Sequence, residues 1–209
     1  MRIDPAGWPF ISVALASALG ASFVGGWPYG VVFVVIAAFF LFFFRDPDRT
    51  ITRMDLGVIS PADGRIMVAG APTGQAFPRG TWQQISIFLS PMDVHVNRIP
   101  LGGRVSKVEY HPGRFLPAYK VEAGDLNEYT EVWLDHGGQT IVVRQIVGIL
   151  ARRIVCRIRE GDVVNTGDRY GVMKFGSRMD IFLPPNAVIR AAVGQKVVAG
   201  VTVLAELRR

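Results

Sequence analysis

The feature that most constrains the fold is an uncharged stretch near the N-terminus. No Asp, Glu, Lys, Arg or His occurs from Pro5 to Phe44. Within it, two apolar runs, 10–25 and 29–44, are separated by the sequence GGWPYG, which is typical of a turn. As helices, these runs of about 16 residues would each extend roughly 24 Å, less than the ~30 Å hydrocarbon core of a bilayer. The sequence therefore allows a membrane hairpin, a single span near 29–44 with an interfacial first segment, or a helical pair buried in a soluble core.

The residues that flank the two runs favour the membrane interpretations. Aromatic residues that suit a membrane interface stand at their ends: Trp8, Trp27 and Tyr29. Arginines follow the second run: Arg45, Arg49 and Arg53. By the positive-inside rule these arginines indicate that the following domain lies on the cytoplasmic face. A cleaved signal peptide is not indicated, because no small-residue cleavage site precedes a polar start. We predict an apolar helical anchor over residues 1–48 and localisation at the cell membrane.

The charge of the chain is concentrated after the anchor. The net charge is +6, and the first 44 residues hold one basic and one acidic residue, so the whole excess belongs to residues 45–209. A basic domain beside an apolar segment suits a surface that meets anionic lipid. Nucleic acid is the competing interpretation, but no basic run alternates with aromatic residues, and we expect no nucleic-acid partner.

The remainder of the chain, residues 49–209, has the pattern of an all-β domain. Short segments rich in β-branched residues, such as QISIFL, TEVWLDH and TIVVRQIV, are broken by Gly, Pro or Asp. This pattern predicts a compact β-sandwich or a barrel-like domain. Two similar turn patterns near the end, REGDVVNTGDRYG and AVGQKVVAGVTVLA, resemble those of lipoyl-type domains. The stretch HPGRFLPAYKVEAGDLNEYT has no clear period, and we predict a functional loop there.

A Gly-Ser pair, Gly176–Ser177, interrupts the strand-like segment MKFGSRMDIFLP. None of the other serines follows a glycine. A serine hydroxyl can attack the preceding carbonyl in an N-to-O acyl shift, and glycine tolerates the strained backbone that this attack needs. β-Elimination from the resulting ester would then cut the chain and leave dehydroalanine, which hydrolyses to a pyruvoyl group. Such pairs are common in loops, so the dipeptide alone does not establish this chemistry.

Polar residues cluster in two further segments. SPADG places Asp63 before a glycine, which is also a common turn pair. LSPMDVHVNRIP contains Asp93, His95 and Asn97, which share one face if the segment is extended. A solvated edge strand is the simpler explanation of that face. One histidine and one carboxylate are an incomplete ligand set, so no metal is predicted. His111 and His136 lie in loop-like surroundings, and both are expected at the surface.

Taken together and in order, these segments closely resemble the short bacterial type of phosphatidylserine decarboxylase proenzyme. FGSRMDIFLP and DVHVNRIP are the specific blocks, and the resemblance runs from about Phe42 to Leu204. The other segments that carry it are FFFRDPDR, SPADG, GRFLPAYK with NEYT, RQIVG, GDVVNTGDRYGVMK and VGQKVVAGVTVLA.

The resemblance implies a self-cleaving carboxy-lyase without a metal. Cleavage between Gly176 and Ser177 would give a β chain, 1–176, and an α chain, 177–209, which remain together as a heterodimer. Ser177 would become the pyruvoyl group, a cofactor made from the chain itself. Its ketone would form a Schiff base with phosphatidylserine in the bilayer, and loss of CO2 would yield phosphatidylethanolamine. The oligomeric state beyond this heterodimer is left open.

The roles of the helper residues are assigned partly by physical reasoning. Self-cleavage needs a base for the Ser177 hydroxyl, and His95 is the best candidate. Asp63 is expected to orient the His95 imidazole, as the third member of a triad does. Longer members of the family carry a second histidine where this chain has Arg98, so the pairing of Asp63 with His95 is an inference. Arg98, with Asp93, is expected to contact the substrate, the guanidinium binding its carboxylate or phosphate.

Two other functions remain open from the sequence. A non-enzymatic, membrane-anchored β-sandwich adaptor would explain the anchor and the lipoyl-like end, but not the polar clusters together with Gly176–Ser177. A pyruvoyl decarboxylase of a soluble amino acid would explain the clusters, but not the apolar N-terminus.

Overall fold

The computed structural model describes residues 2–149, 153–174 and 176–208. The chain divides into two compact units, Met1–Asp48 and Arg49–Arg209. This division falls at the residue where the sequence predicts that the anchor segment ends. Each unit is described by itself.

The N-terminal unit is a helical hairpin with a short pair of strands at its base. A 3-10 turn, Pro5–Gly7, leads into α1 (Trp8–Gly25), and α2 (Trp27–Phe43) follows after one residue. β1 (Arg2–Ile3) pairs antiparallel with β2 (Arg45–Asp46). The two predicted helices are therefore present, but the predicted turn is shorter, because α2 begins with Trp-Pro and proline fits the first turn of a helix.

Most apolar side chains of this hairpin are exposed. Phe23 is 93% exposed and Leu19 75%, whereas Ile11, Ala14 and Ala18 are buried between the helices. This exposure does not agree with a helical pair buried in a soluble core. The segment Pro5–Gly25 is long and apolar enough to cross a membrane by length and composition, and α2 is shorter.

The second unit is built around an eight-stranded antiparallel sheet. Its strands, in spatial order, are β11 (Val163–Val164), β7 (Gly103–His111), β8 (Tyr129–His136), β9 (Gln139–Ile146), β13 (Ser177–Leu183), β5 (Gln83–Leu89), β4 (Gly64–Gly70) and β15 (Lys196–Val197). The first and last strands are edges, so among the described residues this sheet does not close into a barrel. The prediction of a mainly β domain after an apolar helical segment is confirmed.

Two small antiparallel sheets complete the unit. One consists of β10 (Ile154–Cys156), β12 (Arg169–Met173) and β6 (Val96–Arg98), and the other of β14 (Val188–Ile189), β16 (Val203–Glu206) and β3 (Gly57–Ile59). The predicted long loop contains one short helix, α3 (Ala123–Leu126). The two similar turn patterns supply β11 and β15, which lie at opposite edges of the large sheet. The relation to lipoyl-type domains stays a prediction.

The two faces of the large sheet differ because side chains alternate along each strand. One face carries apolar residues such as Ile85, Val143 and Ile181, which pack into the main core. The other face carries buried ion pairs, among them Arg144–Glu131 and Arg178–Asp180. Strand β13 lies between β9 and β5 with all seven residues buried, so its N-terminal residue, Ser177, starts inside the domain.

Candidate active site

The Gly176–Ser177 bond lies at the start of the central strand β13. Ser177 pairs with Leu89 of β5 and is fully buried. Its Oγ has no hydrogen-bond partner among the described residues. A buried hydroxyl without a partner loses the hydrogen bonds that it would make in water. The Ser177 hydroxyl is therefore not occupied by a structural hydrogen bond.

Gly176 has the backbone conformation that only glycine adopts readily. Its φ is +72°, in the left-handed region. A residue with a Cβ would be strained at this φ. The conformation gives a physical reason for glycine on the N-terminal side of the serine.

His95 lies against the same peptide segment. The residue is fully buried and follows a turn in which Asp93 N donates to Ser90 O at 2.9 Å. The N–H of Gly176 donates to Nε2 of His95 at 3.3 Å. The backbone of His95 also meets this segment, because Met173 N donates to its carbonyl oxygen at 3.3 Å. The structure thus brings together two segments that are about 80 residues apart in the chain.

The hydrogen bonds of the imidazole define its tautomer. Nδ1 lies 2.9 Å from the carbonyl oxygen of Asp93, which can only accept, so Nδ1 carries the proton. Nε2 is then the unprotonated nitrogen, and it accepts from Gly176. A neutral imidazole with its lone pair turned toward the segment that contains Ser177 can act as a general base. In the uncut chain, Nε2 contacts the Gly176 amide and not the Ser177 hydroxyl.

Gly148 has no side chain, and the carbonyl group of Gly176 occupies the space that a Cβ would fill. A Cβ added at Gly148 would overlap the carbonyl oxygen of Gly176. The carbonyl that would be attacked therefore rests against the backbone that follows β9. The residue pattern around Gly148 does not predict that it belongs to the site, although it ends the RQIVG segment.

We expect Gly148→Ala to slow or stop cleavage, because the Gly176 carbonyl would have to shift. A displacement of about 1 Å at a reacting group can cost about 10²-fold in rate. The measurement is the fraction of uncut chain over time on a denaturing gel. Melting of the same substitution in a Ser177→Ala background separates misfolding from slow cleavage, and normal cleavage by Gly148→Ala would contradict the steric argument.

Asp63 is not brought to the imidazole in this structure. Its carboxylate receives two hydrogen bonds from Arg49, at 2.5 and 2.7 Å, and one from the backbone N–H of Ala199 at 2.8 Å. Arg49 also donates to the carbonyl of Ala199 at 2.8 Å. The carbonyl of Asp93, and not Asp63, binds Nδ1 of His95. The predicted triad is therefore not formed in the uncut chain, and a catalytic role for Asp63 stays a prediction.

The contacts of Asp63 predict matched effects of two substitutions. Arg49→Gln and Asp63→Asn should each lower the stability by about 2 kcal/mol, since each removes one partner of a charged hydrogen-bonded pair that is mostly shielded from water. Thermal unfolding in a Ser177→Ala background measures this. The two variants should also cleave at similar rates. A much slower cleavage in Asp63→Asn alone would show that the carboxylate acts on His95 during processing.

The other predicted site residues have structural contacts. The Asp93 carboxylate accepts from Ser90 N at 2.8 Å and lies in a turn, so it does not share a strand face with Asn97. Arg98 is buried and donates to the carbonyl of Gly167 at 3.0 Å. Neither residue lines the apolar pocket that Gly176 borders, and their binding of substrate stays a prediction. Asn97 is also buried, and its Oδ1 accepts from Gln145 at 2.8 Å.

An apolar pocket opens beside the scissile bond. Its volume is about 360 Å³. Gly176 forms part of its wall, and the rest is apolar: Phe88, Pro91, Pro117, Ala118, Tyr119 and Ile149. The aromatic rings of Phe88 and Tyr119 meet edge to face, with centroids 6.0 Å apart. The pocket gives the Gly176–Ser177 region an apolar approach from outside.

The remaining histidines lie away from this pocket. His111 stacks on Tyr129 with ring centroids 4.4 Å apart, and His136 Nδ1 lies 2.6 Å from the carbonyl of Gly102. In the described parts of the chain, no group of three or more His, Cys, Asp or Glu residues is arranged to hold a metal ion.

Three features of this site suit a self-cleaving proenzyme. The Ser177 hydroxyl has no hydrogen-bond partner among the described residues, Gly176 has a positive φ, and a neutral imidazole lies at the Gly176 amide. The comparisons with known proteins give the family. The phosphatidylserine decarboxylase family model matches residues 36–205, and the chain belongs to that family.

Curated relatives match over nearly the whole chain. A phosphatidylserine decarboxylase proenzyme of Salinibacter ruber is 43% identical over 195 residues, covering 90% of this chain and 86% of the relative. That of Symbiobacterium thermophilum is 43% identical, covering 96% and 94%. That of Nitrosomonas europaea is 41% identical, covering 96% and 93%. The resemblance found in the sequence is thereby confirmed, and with it the assignment to an enzyme family.

Proposed function

We propose that this chain decarboxylates phosphatidylserine at the membrane after cutting itself between Gly176 and Ser177. The observation that carries the proposal is the position of His95 Nε2 at the Gly176 amide, one residue before the buried Ser177, whose hydroxyl has no hydrogen-bond partner in the part of the chain that the structure describes. Family membership supports the substrate, and the site geometry supports the self-cleavage.

The chain breaks by reaction of its own groups, and water is consumed only after the break. The Ser177 Oγ attacks the carbonyl carbon of Gly176 as its proton passes to Nε2 of His95, and the peptide nitrogen leaves protonated, which gives an ester. Removal of the Ser177 Hα and loss of the Gly176 carboxylate then leave dehydroalanine at residue 177. Addition of water and release of ammonia complete the pyruvoyl group. A positioned general base contributes about 10²–10⁴ to such a proton transfer.

The residues around Ser177 fit a pyruvoyl group at this position. When present, the group supplies an electron sink for the decarboxylation of an amine-bearing substrate. The wall formed by Phe88, Tyr119 and Ile149 gives the approach to residue 177 an apolar lining. His95 stays in the β chain beside the new α-chain terminus, where its Nε2 can deliver a proton to the product carbon.

The N-terminal hairpin supports action on a lipid that remains in the bilayer. Its apolar side chains are exposed, and insertion into a membrane would bury them away from water. The arginines that follow α2 support a cytoplasmic position of the catalytic domain. An enzyme held at the surface meets its substrate at a high local concentration.

The function is tested by offering two substrates to the purified full chain. Vesicles that contain phosphatidylserine should yield phosphatidylethanolamine and CO2, whereas free serine should yield little CO2. Turnover of free serine alone would instead identify a decarboxylase of a soluble amino acid. Absence of turnover on both, with an uncut chain, would favour a membrane-anchored adaptor.

A further inference from the structure

Exposed apolar side chains line the pocket beside Gly176 and follow two of its lining residues in the chain. Tyr119 and Ile149, which line the pocket, are 59% and 55% exposed. Met92, which follows the pocket residue Pro91, is 64% exposed, and Val121, two residues after the pocket residue Tyr119, is 53% exposed. Exposed apolar residues are ordinary when scattered, but a group around one pocket marks an interaction surface. We call these four residues the apolar rim.

Two buried side chains, Asn127 and Arg178, hold the backbone of the segment that carries Tyr119 and Val121. Asn127 binds both backbone groups of Leu116 at 2.8 Å and also donates to the carbonyl of Val147 at 2.8 Å. Arg178, which is fully buried and paired with Asp180, donates to the carbonyl of Lys120 at 3.4 Å. These bonds fix the backbone of residues 116–120. Tyr119 is therefore exposed on an ordered surface and not on a loose loop.

Unpaired positive charges accompany the rim. Arg114 and Lys120 lie on the same segment as Tyr119 and Val121, and Arg153 precedes Ile154, which pairs with Met173, three residues before Gly176. None of the three makes an ion pair within the described residues, and all are exposed. Glu122 is the one exposed acid on residues 112–122, so that segment is net positive. Apolar side chains interleaved with free cations are the pattern of surfaces that enter the interface of anionic bilayers.

We propose that the apolar rim of the catalytic domain docks into the interfacial layer of an anionic bilayer, separately from the N-terminal hairpin. This rests on the proposed function, because a domain that acts on lipid headgroups must bring residue 177 to them. The rim side chains enter the boundary between headgroups and acyl chains, and Arg114, Lys120 and Arg153 contact lipid phosphates. The pocket then opens toward the bilayer, and a headgroup reaches residue 177 without leaving the membrane.

The test uses the full chain with one fluorescent probe on a cysteine. Cys156 is the only native cysteine, so Cys156→Ala removes it. Val121→Cys and Met92→Cys place a polarity-sensitive probe on the rim. Val163→Cys is the matched control, since Val163 is an apolar residue that is 71% exposed. It lies on edge strand β11, four strands from β13 and therefore about 19 Å away.

The labelled proteins are reconstituted in vesicles of phosphatidylcholine and phosphatidylglycerol that contain no phosphatidylserine. Probes at 121 and 92 should show blue-shifted emission and be quenched by nitroxide-labelled lipid, whereas the probe at 163 should do neither. The shift should be smaller in vesicles of phosphatidylcholine alone, because the cations lose their partners. Rim probes as water-exposed as the control would overturn the proposal. A blue shift without lipid quenching would assign the rim to a protein contact and would also overturn it.

Failure of the docking and failure of the proposed function can be told apart. The probe experiment requires no turnover, and decarboxylation is measured separately on phosphatidylserine vesicles. Docked probes without phosphatidylethanolamine formation would leave the docking intact and remove the function. Phosphatidylethanolamine formation with rim probes in water would leave the function intact and remove the docking.

Discussion

Ser177→Ala should give a chain that stays uncut and forms no phosphatidylethanolamine. Alanine lacks the Oγ that attacks the Gly176 carbonyl, so neither the ester nor the group derived from it can form. The loss should be complete and not graded, because Ser177 supplies atoms to the cofactor. The domain should still fold, since Oγ makes no hydrogen bond among the described residues and the side chain only loses one buried atom. The measurements are a denaturing gel and the vesicle assay.

Two variants serve as controls for this result. Ser177→Cys keeps a nucleophile at the same atom position and should still cut, though at a changed rate. Ser106→Ala removes a serine hydroxyl that is exposed on β7 and bonds to the carbonyl of Trp133, so it should cut normally. An uncut Ser177→Ala protein with full activity would contradict the proposed function.

His95→Gln should slow cleavage by about 10²–10⁴, which is the usual contribution of a positioned general base. Glutamine can accept the hydrogen bond from Gly176 but cannot take a proton at neutral pH, so the substitution separates the structural contact from the base. The rate is measured as conversion of the full chain to two fragments after synthesis. Activity should fall at least in proportion to the uncut fraction.

The other histidines provide the control for His95. His111→Gln changes a half-exposed imidazole that stacks on Tyr129, away from Gly176, and should cleave at the normal rate. Equal rates for His95→Gln and the unsubstituted chain would remove His95 from the cleavage. A slow His95→Gln that melts normally in a Ser177→Ala background would assign the effect to proton transfer.

The sequence predicts the long elements of this fold well. The uncharged run before Arg45 predicts two helices, and both are present. Segments such as GRVSKVEYH predict strands through alternation and β-branching, and β7 covers the same residues. The short strands β3, β6, β11 and β15 were not predicted. Two or three residues carry no detectable period, and their pairing depends on partners far away in the chain.

The sequence predicts the components of the site better than its contacts. The resemblance identified the Gly176–Ser177 bond and physical reasoning identified His95, and the structure brings His95 to Gly176. It could not give the partner of Asp63, because Arg49 was interpreted only as a topology signal beside the membrane. The group that orients His95 is the backbone carbonyl of Asp93. Every residue type has a backbone carbonyl, so the sequence gives no signal of this contact. Gly148 was missed for a similar reason, since a missing Cβ matters only next to the Gly176 carbonyl.

Intact mass spectrometry of the purified protein tests the central claim most directly. Self-cleavage with pyruvoyl formation predicts two chains, residues 1–176 and 177–209. The smaller chain should be lighter, by one molecule of ammonia, than the peptide that plain hydrolysis would give, and it should react with a carbonyl reagent. A single uncut mass in an active preparation, or a small chain that begins with an unmodified Ser177, would contradict the account.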